Sequence, residues 1–150
     1  MQLNIISTLG LLLGSAALFS CGSSYREASV TGSVTYLQRS ALPPDTVVTV
    51  QIEDVSRADA PAEVIGEQVI QTDGAQVPIP FEVTYDPGQI EENHRYSLRV
   101  RIEDGAGNLL FINDTSVPVI TRGHPTQDIE VIVVPNLRWQ GGFAQTQENG

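Results

Sequence analysis

The chain has 150 residues, 41% of them apolar and 17% charged, which fits one domain with a real core. Its formal net charge is −10, and all eight basic side chains are arginine. An acidic chain without a basic run argues against nucleic acid and against a polybasic grip on anionic lipid. A single cysteine excludes an intramolecular disulfide and any multi-cysteine metal site.

Residues 1–20 carry no charged side chain, and Leu9 to Phe19 is an apolar run of signal-peptide length, too short for a comfortable membrane span. Ser20 is small, Cys21 follows directly, and a polar stretch, GSSYREAS, comes next. The pattern predicts an export signal over residues 1–20, cleaved between Ser20 and Cys21, and a linker over 21–28. The stretch Leu-Phe-Ser-Cys resembles the bacterial lipobox, which implies that the Cys21 sulfur takes a diacylglyceryl group. Phe19 stands where a small or aliphatic residue is usual, and Met1 to Asn4 has no Lys or Arg. A plain secretory signal or a short apolar anchor therefore stays open as an alternative. At about 0.8 kcal/mol per buried CH₂, two or three acyl chains would hold the protein to a membrane permanently. Gly22 rather than Asp after the cysteine favours the outer membrane where there is one.

From Ser29 the pattern has period two. Val30, Gly32, Val34 and Tyr36 share one face of a first strand, and Pro43-Pro44 ends that region. Val48, Val50 and Ile52 mark a second strand, and residues 63–72 a third. Val77, Ile79, Phe81, Val83 and Tyr85 mark a fourth, with Pro78 and Pro80 on its other face predicting a sheet edge. Tyr96, Leu98, Val100 and Ile102 give the clearest alternation. The stretch DGAGN at 104–108 reads as a hairpin loop. LLFI (109–112), SVPVI (116–120) and DIEVIVV (128–134) complete the set. Seven or eight short strands over residues 29–135, with no helical periodicity, predict an all-β antiparallel β-sandwich. Tyr36, Phe81, Tyr85, Tyr96 and Phe111 are its expected large core residues. VQIED at 50–54 and VRIED at 100–104 echo each other, as two strands in similar roles rather than a tandem repeat. Residues 136–150 form a polar tail, expected to be loose, in which Trp139 and Phe143 dock back on the sandwich, float free or meet a partner.

Few groups converge for chemistry. The two histidines, His94 and His124, flank turns, and a solvated loop position is the simpler reading of each. There is no G-x-S-x-G elbow, no histidine or cysteine spacing for zinc, and no calcium-loop spacing. Glu53-Asp54 and Glu103-Asp104 are adjacent pairs whose members point to opposite faces of a strand, so each Asp reads as a strand end. Asn113-Asp114-Thr115 matches a glycosylation sequon by chance. No catalytic residue, no metal ligand and no cofactor is expected, and nothing in the pattern fixes an oligomeric state.

The strand HRYSLRVRIE places Arg95, Ser97, Arg99, Arg101 and Glu103 on its outer face. Three arginines in a row repel only weakly in water, by about 0.6 kcal/mol per neighbouring pair. Acids on adjoining strands, with Glu53, Glu82 and Glu130 as candidates, would steady them by roughly 0.2–1 kcal/mol each. The alternative is that Arg95, Arg99 and Arg101 form a partner-binding face for an anionic peptide or a lipid phosphate.

LPPDTVVTVQIEDVSRADAPA, IPFEVTYDPGQIEENHRYSLRVRIEDGAGNLLFINDTSVPVITRG and IEVIVV together resemble the YbaY/YscW family of bacterial lipoproteins over about residues 29–135. The resemblance implies a small β-sandwich on the periplasmic face of the outer membrane, held by acylated Cys21. The YscW branch acts as a pilotin, escorting secretin subunits to the outer membrane. The YbaY branch, to which this sequence looks closer, has no settled role, and some members carry a polysaccharide or glycoprotein label. The expected function is a non-enzymatic, lipid-anchored envelope protein that binds another envelope component, such as a secretin. A carbohydrate-binding module or enzyme of the envelope is the rival.

Overall fold

A computed structural model describes residues 26–137. Nine strands follow one another: β1 (Ala28–Thr35), β2 (Val47–Asp54), β3 (Glu63–Gln71), β4 (Ile79–Tyr85), β5 (Tyr96–Glu103), β6 (Leu109–Ile112), β7 (Val117–Val119), β8 (Ile129–Ile132) and β9 (Val134–Pro135). They form a three-stranded sheet, β4-β1-β8, and a six-stranded sheet, β3-β2-β5-β6-β9, with β7 paired to β5. The expected signal segment, Ser20, Cys21, Trp139 and Phe143 lie outside the described residues.

The two echoing segments are antiparallel neighbours at the centre of the larger sheet, where Val50 faces Val100, Ile52 faces Leu98 and Gln51 faces Arg99. Their alternate apolar residues supply its inner face, because a strand turns successive side chains to opposite sides. In β4, Ile79, Phe81, Val83 and Tyr85 are buried while Pro80, Glu82 and Thr84 are exposed. Pro80 is tolerated because β4 is an edge strand, paired with β1 only. On the other side of β4 the Glu82 amide donates to Gln68 Oε1 of β3 at 2.8 Å, so a side chain joins the two sheets along this seam.

The five expected core aromatics are all buried, and Tyr36 stacks on Phe111 with centroids 4.5 Å apart. Burial of such side chains stabilises by roughly 1.5–3 kcal/mol each. Gly32 is the position where β1 passes beneath the Phe81 ring and the Ile129 carbonyl, and a Cβ there would collide with both.

Two expectations are corrected. The sheets are not antiparallel throughout, since β8 runs parallel to β1, with Gly32 opposite Ile129. Period-two patterning fixes which face a residue takes but is silent on strand direction. Direction here is set by the 120–128 connection, which crosses from the larger sheet to the smaller and is pinned by the Thr31 amide donating to the Thr126 carbonyl at 2.9 Å. Among the described residues the strands number nine rather than seven or eight, partly because DIEVIVV is two strands. Its first half pairs with β1, the chain breaks step at buried Val133, and Val134 pairs with Ile112 in the other sheet. A strand that switches sheets closes a corner of the core while its apolar pattern runs on uninterrupted.

Candidate functional site

The arginines along β5 find different surroundings. Arg99 and Arg101 are exposed on the outer side of the strand, but Ser97 between Arg95 and Arg99 is buried. Strand β7 pairs with β5 at this point, and Ser97 Oγ accepts from the Val117 amide at 3.1 Å and lies 3.2 Å from Ser116 Oγ. Arg99 Nε is 3.5 Å from Glu53 Oε2, and Arg101 Nη2 is 2.6 Å from Glu103 Oε1. Glu53 is thus a steadying acid, as expected. Glu82 and Glu130 are not, because they belong to β4 and β8 of the other sheet. Arg95, just before β5, has Nη2 3.4 Å from the Val55 carbonyl.

Between β6 and β7 the chain leaves the sheet and returns to the same neighbour, β5, leaving a gap in the ladder. Buried Asn113 fills it. Its Oδ1 accepts from the Val100 amide at 2.8 Å, and its Nδ2 donates to the carbonyls of Leu98 and Thr115, each at 3.0 Å. The side-chain amide replaces a strand partner, which explains the Asn of the chance sequon.

At the end of the sandwich where β1 begins, one further bond extends the β2–β5 ladder: the Val55 amide donates to the Arg95 carbonyl at 2.8 Å. Extended backbone sorts neighbours to opposite sides. Asp54 and His94 fall on one side, Val55 and Arg95 on the other. His94 Nδ1 lies 2.6 Å from Asp54 Oδ2, and Nε2 lies 3.3 Å from Glu91 Oε2, a pair of contacts that charges the ring's surroundings negatively. Asp54 Oδ1 also accepts from Ser56 Oγ at 2.6 Å and from the Ser56 amide at 2.9 Å. Burial alone would push the Asp54 carboxyl up, but the two Ser56 hydrogen bonds and the hydrogen bond and charge of His94 together hold it below the usual carboxylate value. This group lines a hollow of about 360 Å³ with Glu63, Arg57 and Ile65. His94 was expected to be a solvated loop residue. It is half-buried and doubly partnered because the register places Asp54 opposite Tyr96, two residues away. The VQIED/VRIED echo was the available signal, since pairing its leading valines, Val50 with Val100, brings these positions together.

On the other side of that ladder is a notch of about 160 Å³, lined by Val55, Tyr96 and Pro118 with Arg95, Arg122 and His124. Arg122 Nη2 donates to the Asn93 carbonyl at 3.0 Å.

Neither hollow is arranged for catalysis. In a Ser-His-Asp triad the hydroxyl hydrogen-bonds to the histidine, whereas here Asp54 sits between Ser56 and His94, and the Ser56 hydroxyl points at the carboxylate. Among the described residues no three His, Cys, Asp or Glu side chains gather as a metal site. The core aromatics among those residues face inward and offer no stacking platform for a sugar. The described residues form a two-sheet, sandwich-like domain in which neither hollow gathers a catalytic or metal-binding set.

The model of the family described as "Type III secretion system lipoprotein chaperone (YscW)" matches residues 25–131, and the chain belongs to that family. It is 37% identical over 109 residues to the uncharacterized lipoprotein YbaY of Escherichia coli (strain K12), a match over 73% of this chain. The chain spans 57% of the length of that relative. It is also similar to the solved structure of an alternative pilotin from the type II secretion system of Vibrio cholerae, with 46% identity and a TM-score of 0.68, over 74% of this chain and 100% of that one. The family is non-enzymatic and belongs to the bacterial envelope.

Proposed function

We propose that this chain is a lipid-anchored, pilotin-like chaperone on the periplasmic face of the outer membrane, where it escorts a secretin. The observation that carries the reading is the similarity, at 46% identity and across the whole of its length, to a pilotin of a type II secretion system. The two-sheet domain without a catalytic constellation supports it, and Cys21 supplies the anchor. In-cell crosslinking followed by mass spectrometry of the captured partner is the test. Capture of a secretin, with the secretin moving to inner-membrane fractions when the gene is deleted, is the expected result. Unchanged secretin placement and assembly in the deletion strain would overturn it. The anchor is tested separately by the mass of the mature N-terminus, which should be an acylated Cys21.

A further inference from the structure

Four ion pairs form among the described residues. His94 meets Asp54 and Glu91, Arg99 meets Glu53, and Arg101 meets Glu103. Arg26, Arg39, Arg57, Arg95, Arg122 and His124 take part in none of these pairs, and Arg95, Arg122 and His124 are the three that line one notch together. Among the described residues no carboxylate lies within ion-pair distance of any of them, in a chain with 18 acids and a net charge of −10. Each arginine spends one N–H on a backbone carbonyl, Val55 for Arg95 and Asn93 for Arg122. A guanidinium has five N–H donors, so both keep most of theirs for an outside acceptor.

The backbone that presents this notch is held in a costly shape. Ile120, at φ 71°, is the centre of a γ-turn closed by the Thr121 amide on the Val119 carbonyl at 2.8 Å. Arg122 follows at φ 58° and Gly123 at φ 77°. A β-branched residue at positive φ is a true outlier, and such strain gathers where a surface has a job. Thr121 Oγ fastens the loop by donating to the His94 carbonyl at 2.8 Å, which fixes Arg122 and His124 beside Arg95.

The position of the notch says what covers it. Strand β1 starts at Ala28, opposite Tyr85, at the same end of the sandwich as Asp54 and Tyr96, because the 86–95 and 120–128 connections both cross between the sheets there. Cys21 is seven residues before Ala28. Even fully extended, that stretch spans at most about 25 Å. A membrane anchor at Cys21 therefore keeps this end of the domain within about 25 Å of the bilayer surface. The carboxylates of Asp54, Glu63 and Glu91 are gathered in the other hollow, with Arg57 and His94 among them, across the Val55–Arg95 ladder.

We propose that Arg95, Arg122 and His124 form a headgroup-docking notch that lies against the phosphates of the bilayer to which Cys21 ties the chain. The proposal rests on the lipid-anchored reading of Cys21 and adds an orientation to it. The guanidinium forks take phosphate oxygens, the apolar floor of Val55 and Pro118 lies beneath them, and the acidic hollow tilts away from the surface. Two arginines and a histidine would not recruit a protein of this charge from solution. They need only orient one already tethered, where the effective concentration of lipid is high.

The test couples the chain from Cys21 onward, through its thiol, to a maleimide lipid in phosphatidylethanolamine–phosphatidylglycerol vesicles that carry a gadolinium headgroup chelate. The result then does not depend on acylation by the cell, which the N-terminal mass reports independently. Methyl NMR signals of Val55 and Ile120 should broaden more than those of Ile65, in the acidic hollow, and Ile132, at the far end of β8. The double variant R95Q/R122Q should lose that difference, and R99Q/R101Q should keep it. Equal broadening at Val55 and Ile65, or an unchanged pattern in R95Q/R122Q, would overturn the proposal. No preferential broadening on vesicles, with shifts at Val55 and Ile120 on adding a triglutamate peptide, would assign the notch to an acidic protein segment and overturn it equally.

Discussion

Two hollows share one wall at the end of the sandwich where β1 begins, and they treat charge in opposite ways. On the Asp54 side, a histidine, two carboxylates and a serine hydroxyl satisfy one another within 3.3 Å. On the Arg95 side, two guanidinium groups and an imidazole meet backbone carbonyls or solvent and no described carboxylate. The wall between them is one ladder bond, Val55 to Arg95, which sends alternate residues to opposite sides. The difference separates polar groups that hold the fold from polar groups available to a partner. If that division is right, substitutions on the compensated side cost stability, and substitutions on the uncompensated side cost almost none.

The largest loss should come from the most completely used polar side chain, Asn113. Replacing it with Ala leaves the Val100 amide and the Leu98 carbonyl buried without partners. Each orphaned group costs about 1–3 kcal/mol, so N113A should lower the unfolding free energy by about 3 kcal/mol. A lower urea midpoint at unchanged m-value would show it. A loss below about 1 kcal/mol would mean that water replaces the amide and that the gap between β6 and β7 is not closed by Asn113.

Asp54 comes next. D54A removes the acceptor for Ser56 and His94 and should cost about 2 kcal/mol, since hydrogen bonds to charged groups contribute about 1.5–3 kcal/mol and this one is partly solvated. The pH dependence has a definite sign. The folded-state value of Asp54 is lowered, so its contribution is present above the ordinary carboxylate value, near pH 4, and is lost as pH falls through the folded value. Unfolding curves measured down through this window should steepen in their pH dependence for the native chain and flatten for D54N. Parallel curves would show that other carboxylates dominate acid unfolding.

The core was legible because a strand pattern that names one face names the buried set. All five aromatics expected inside are inside, and Pro80 correctly marked β4 as an edge. Direction and sheet membership were not legible. Nothing in DIEVIVV distinguishes a strand that stays in one sheet from one that crosses at Val133, because both bury Ile129, Val131 and Val133. The site was less legible still. Arg95, Arg99 and Arg101 all fall on alternate positions in sequence, but Ser97 among them is buried against β7, and Arg95 precedes the strand's first residue. Arg122 and His124 join Arg95 across more than 25 residues of chain through a connection whose left-handed residues are not glycine alone, and no local signal marks it. A search for basic runs sees only charge clustered along the chain, whereas this cluster is made by the fold.

On the outer face of β5 the effect should be smaller. Arg99 and Arg101 each have an ion-pair partner, but the side chains are about half exposed, at 45% and 46%. Surface pairs of this kind contribute about 0–1 kcal/mol and weaken in salt. R99Q and R101Q should each cost about 0.5 kcal/mol at low ionic strength and less as salt is added. A larger, salt-independent loss would show that their alkyl stems, rather than their charges, pack on the sheet.

The smallest change in stability belongs to R95Q/R122Q, and it is the sharpest test of the comparison. Both side chains are exposed, and each donates a single hydrogen bond to a carbonyl that water can also serve. Gln keeps an N–H donor of similar reach, and removing two unmatched positive charges forfeits no ion pair. Position 122 keeps the same backbone penalty, since Gln at positive φ is strained much as Arg is. The double variant should therefore unfold within about 0.5 kcal/mol of the native chain, as surface changes away from structural features do. A loss above about 1 kcal/mol would mean that Arg95 and Arg122 clamp the 120–128 connection to the sandwich. The two hollows would then differ only in which polar groups satisfy them, and the cationic one would have no claim to a partner.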